Sequence, residues 1–137
     1  MTLSKDIGRT ERTLRALLDR HLDDAGLSFP EWVAFVFLDD GPLPAGEIVR
    51  RQLDGHVATE AGARAAVDGL VAGGLVAPTD GGLALTADGE ARFRPVEQAI
   101  ARVGREIWAG LDTADLDATR RTLDEVTRRA GERLAGL

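Results

Sequence analysis

The chain has 137 residues, 44% of them hydrophobic and 29% charged, with a net charge of −6 and no cysteine. That size and balance suit one packed domain rather than disorder, and the lack of thiols excludes a disulfide framework or a thiolate metal site. No apolar run approaches the roughly 20 residues of a membrane span, and the first stretch turns charged at once, unlike a signal peptide, so a cytoplasmic protein without membrane contact is expected.

The first helix is expected from about Lys5 to Asp24. Leu3, Ile7, Thr10, Leu14, Leu17 and His21 recur there in steps of three and four. Ala25-Gly26 ends it. Ser28-Phe29-Pro30-Glu31 then has the form of a capping box, with proline early in the helix, where its missing N–H costs nothing. The helix it opens, Glu31 to Leu38, is apolar nearly all round and must bury most of its faces. A turn over residues 39–44 leads to a short helix, Ala45 to Leu53, with Ile48, Val49 and Leu53 inward.

Asp54-Gly55 breaks that helix, and Thr59 caps the next, Glu60 to about Ala72. Its inner face is Ala63, Ala66, Val67, Leu70 and Val71, and Gly73-Gly74 stops it. Two short extended pieces, Leu75 to Ala77 and Leu83 to Leu85, flank the turn residues Pro78 to Gly82 and predict a hairpin. Thr86 caps a long helix reaching about Ala109, with Phe93, Val96, Ile100, Val103, Ile107 and Trp108 on its apolar side. Pro95 predicts a kink near Ala91–Arg94. A last helix, Ala114 to Leu137, carries a near-heptad seam through Leu116, Leu123, Val126, Ala130 and Leu134.

A short helix, a capped helix and a hairpin in that order form a winged helix-turn-helix, whose second helix enters the major groove of DNA. The segment Leu70-Val71-Ala72-Gly73-Gly74-Leu75-Val76 resembles the Leu-x-x-x-Gly-Leu-Val close of a MarR recognition helix. Leu83-Ala84-Leu85-Thr86-Ala87-Asp88-Gly89 resembles the Leu-Thr-x-x-Gly that leaves the family's wing. The flanking helices match the family's dimerisation elements in order and length, so the resemblance spans nearly the whole chain. It implies a mainly α fold with a small β-hairpin wing, in one MarR-like domain over residues 1–137. Residues 28–94 are then the winged helix-turn-helix lobe, and 1–27 and 95–137 the dimerisation helices. It also implies a homodimer that binds a palindromic double-stranded operator without a cofactor. A small aromatic or acidic effector between the lobes would release the DNA.

On that frame the DNA-reading residues are Thr59, Glu60, Ala61, Ala63 and Arg64, with Arg50 and Arg51 on phosphates. Arg64 suits guanine in the major groove, although Glu60 and Asp68, each four residues away, are equally natural partners for it. Candidate effector-pocket residues are Arg20, His21, Trp32 and Phe35, although a lone histidine on an apolar stripe is more often a core residue and packing in the core is the commoner place for Trp32 and Phe35. Two histidines without cysteines make no metal site, and no nucleophile with its base or phosphate-cradling loop is present, so no enzyme is expected.

Other features favour a different partner. Residues 28–94 hold five arginines against ten carboxylates. The wing tip, Thr79 to Gly82, carries no basic residue where family wings carry Asp-x-Arg, and the turn from Asp54 to Ala58 is about three residues longer than usual. A winged-helix module that binds protein, or a small-molecule carrier, is the alternative reading.

Overall fold

Short polar side chains start most of the helices. The computed structural model describes residues 2–137. In it the Thr2 hydroxyl accepts from the Lys5 amide and opens helix α1, Leu3–Ala25. Ser28 and Glu31 form the reciprocal capping box of α2, Phe29–Asp39. Helix α3, Ala45–Asp54, begins behind Pro44 with no side-chain cap. Thr59 accepts from Gly62 and opens α4, Glu60–Ala72. Strands β1, Val76–Thr79, and β2, Gly82–Leu85, pair antiparallel and precede α5, Ala87–Trp108. Asp112 caps the last helix, α6, Thr113–Ala135. Helix α5 continues through Pro95 as one uninterrupted helix.

The chain divides into two compact units, residues 1–102 and 103–137. The first holds the core: Leu22 of α1, Trp32, Ala34, Phe35 and Leu38 of α2, Ile48 and Val49 of α3, Ala63, Val67 and Leu70 of α4, Val76 of β1, and Phe93 and Val96 of α5. Phe93 is its aromatic centre, 5.2 Å from Trp32 and edge-on to Phe35 at 5.8 Å between ring centroids. The apolar stripe of α1, expected to meet a second copy of the chain, is open in the single chain. Leu3, Ile7, Leu14 and Leu17 are exposed, and α1 reaches the core through Leu18, Leu22 and Ala25.

Two inward assignments change. Leu53 is exposed, and the neighbouring Gln52 is buried in its place, its amide donating to the Pro30 carbonyl at 2.9 Å. Val71 is exposed at the end of α4. Pro78 and Thr79 extend β1, so the hairpin loop is only Asp80-Gly81. A single residue before α3 adds a rung on the other side of β2: Leu43 and Leu83 exchange backbone hydrogen bonds of 3.1 and 2.7 Å. That approach needs Gly82, whose φ is 118° and where a Cβ would run into the Leu43 backbone.

The second unit is the end of α5 and all of α6, which turn at Gly110 in the left-handed region. No residue of α6 is buried, yet it carries Leu123, Val126 and Leu134 exposed along one seam. Trp108, Leu116 and Leu123 line an apolar groove of about 390 Å³ with Thr119, Arg120 and Asp124.

Candidate nucleic-acid interface

The face that a winged helix-turn-helix turns toward DNA is built here from α3, the turn after it and α4. Backbone chemistry shapes the turn. The Val57 amide reaches back to the Gln52 carbonyl and His56 to Leu53, with His56 itself at φ 57°. This is the helix-ending pattern in which glycine is the usual residue. Gly26 and Gly74 hold the equivalent place after α1 and α4. The additional residues between Asp54 and Thr59 are thus an ordered helix stop that hands the chain to the Thr59 cap.

Thr59, Glu60, Ala61 and Arg64 lie exposed on the first two turns of α4. Ala63 does not join them. At 0% exposure it faces Val67 and the core, because a residue three, four and seven places from Ala66, Val67 and Leu70 shares their inward side. It is a packing residue and not, as expected, one that faces DNA.

Every candidate arginine on this face has a carboxylate partner on its own helix. Arg64 donates to Glu60 at 2.9 Å. Arg50 lies between Glu47 and Asp54, at 2.6 Å from each. Arg51 donates to Glu47 at 3.0 Å and sits 5.7 Å above the Phe37 ring. The hydrogen bonds from Arg50 and then Arg51 hold the Glu47 carboxyl down to about 2. The wing tip, Thr79 to Gly81, is exposed and carries only Asp80 as a charge.

Behind this face the two sequence motifs close on one another. The Thr86 hydroxyl donates to the Gly74 carbonyl at 2.7 Å and accepts from the Gly89 amide at 3.0 Å. The Thr86 amide donates to Leu75 at 3.1 Å. A Cβ on Gly89 would collide with the Leu75 carbonyl. The end of α4 and the start of α5 therefore interlock through the residues that carry the family resemblance.

The expected effector residues do not converge. Phe35 is wholly buried at 0% exposure and Trp32 is 8% exposed, both packed against Phe93. Phe35 has no surface to offer a ligand and is corrected to a core residue. Arg20 lines a shallow hollow with Ala16, Asp19, Asp23 and Asp24, a stretch of α1 surface that includes neither aromatic ring. His21 is half-buried on the same helix. Interactions that the sequence reading missed hold this region: Arg92 donates to the Ala25 carbonyl at the end of α1, and Arg94 joins Asp39 at the end of α2 to Glu90 and Glu97 on α5. Arg15 stacks on Phe29, 3.4 Å from its ring centroid.

No family model matches the sequence, and no curated protein matches it. Solved structures do match it in shape. The transcriptional regulator PA3341 superposes with a TM-score of 0.78 at 21% identity, over 96% of this chain and 99% of that one. The Mycobacterium tuberculosis MarR family protein Rv2887, in its complex with DNA, gives 0.70 at 24% identity, over 92% and 98%. Rv2887 in complex with salicylic acid gives 0.65 at 23% identity, over 93% and 99%. The likeness runs nearly end to end on both sides, and it gives this chain the winged helix-turn-helix fold of MarR family transcriptional regulators.

Proposed function

We propose that the protein is a dimeric, cytoplasmic, non-catalytic regulator that binds double-stranded DNA and responds to a small aromatic acid. The observation that carries this reading is the outward set of Thr59, Glu60, Ala61 and Arg64 on the capped opening turns of α4. Helix α3 and the hairpin support them, as in a fold that meets DNA in a neighbouring structure. Arg64 reads guanine once it leaves Glu60, Thr59 and the amides it caps meet a phosphate, and Arg50 and Arg51 neutralise the backbone. The salicylic acid complex of Rv2887 supports an aromatic acid as the effector class. Among the described residues no helix is long and apolar enough to cross a membrane.

A second copy of the chain suits the exposed apolar seams of α1 and α6, since no residue of α6 is buried. Dimerisation also gives a palindromic operator its two half-sites, about one helical turn apart.

The five-to-ten balance of arginines and carboxylates in residues 28–94 favours a second reading, a winged-helix module that binds a protein. Anisotropy titration against duplex DNA from the chain's own upstream region, at two salt concentrations, separates them. The regulator binds below about 1 μM with a marked salt slope, and Arg64→Ala weakens it by about 10-fold or more. Absence of binding at low salt excludes the regulator and leaves the protein-binding module.

A further inference from the structure

The two arginines of α3 already hold an anion. Glu47 places both carboxylate oxygens on it: Oε2 accepts from Arg50 Nε at 2.9 Å, and Oε1 from Arg50 Nη2 at 2.6 Å and Arg51 Nε at 3.0 Å. Asp54 takes the remaining side of Arg50 through Nη1 at 2.6 Å. A paired-oxygen acceptor against guanidinium forks is also the geometry in which arginine takes a phosphate. The group is reachable from solvent, with the side chains of Arg50 and Arg51 59% and 41% exposed.

Resting on the regulator reading, we infer that Glu47 is an intramolecular stand-in for a DNA backbone phosphate at the Arg50–Arg51 fork, and that duplex binding proceeds by exchanging this carboxylate for the phosphate. Glu47 then acts as a brake on affinity. Each arginine released from it gains a phosphate but leaves a carboxylate beside the DNA, so the balance is poorer than for a free arginine. The salt dependence is shallow for the same reason, because the freed carboxylate beside the duplex holds back a cation and offsets part of the counterion release. Glu47 stays ionised at neutral pH, its carboxyl lying near 2.

The test is anisotropy of the full chain with a labelled mixed-sequence duplex, since a phosphate contact is indifferent to sequence. Glu47→Gln binds about 10-fold more tightly than the parent, with a salt slope steeper by about 1. Glu106→Gln, which removes the same charge from an exposed position on α5, leaves affinity unchanged. Adding Arg50→Ala and Arg51→Ala to Glu47→Gln cancels the gain. Asp54→Asn raises affinity through the other side of Arg50 and serves if circular dichroism shows α3 weakened by the first change. A parent that binds while neither Glu47→Gln nor Asp54→Asn gains over Glu106→Gln overturns the brake alone. If neither parent nor variants bind at low salt, the regulator reading is overturned and the brake with it.

Discussion

Thr86 has one hydroxyl and uses it in both directions, donating to Gly74 and accepting from Gly89. Valine keeps the shape and removes both bonds, so Thr86→Val is expected to cost about 1–2 kcal/mol in urea unfolding, while Thr86→Ser stays near the parent. Gly89→Ala is worse, because the new methyl meets the rigid Leu75 carbonyl rather than a side chain that can turn away; a loss of about 2–3 kcal/mol is expected. These residues were legible as a motif, but the reason for the glycine was not: a close approach between segments distant in sequence leaves no local trace. Ala63 shows the opposite failure. It lies on the inner face that periodicity assigns to α4, and one residue cannot both fill that face and touch DNA.

Among the elements, helix limits followed from caps and glycines. The observed α4 has the expected bounds because Thr59 and Gly73-Gly74 mark both ends. The extension of β1 through Pro78 and Thr79 was hidden, since proline reads as a loop residue until an edge position removes the need for its N–H. Arg50 and Arg51 stand three and four residues after Glu47, a spacing that already allows pairing. What spacing does not reveal is that one carboxylate serves both. That sharing has a pH consequence for α3. Glu47 ionises at about 2 in the folded chain against an ordinary 4.5, so its ionic contribution is complete above 4.5 and is lost as the pH falls toward 2. The melting temperature of Glu47→Gln is expected slightly below the parent's at neutral pH, with the gap closing by pH 2. High salt narrows the gap too, because the group faces solvent.

For the whole molecule, the exposed seams matter most. Leu123 and Val126 are 40% and 46% exposed on a helix with no buried residue. Sedimentation velocity is expected to show a dimer for the parent and a monomer for Leu123→Glu combined with Val126→Glu; a monomeric parent removes the two-fold half of the proposal. Core and wing were recoverable from pattern because each rests on local rules. The effector residues were not, since a cavity is a property of how several elements meet, and Phe35 is used up in its edge-on contact with Phe93. The rung between Leu43 and Leu83 carries a mechanical consequence. It stitches the hairpin to the segment entering α3, so the wing has no hinge of its own. Whatever tilts that helix carries Asp80 with it, and the lobe meets a partner as one stiff blade.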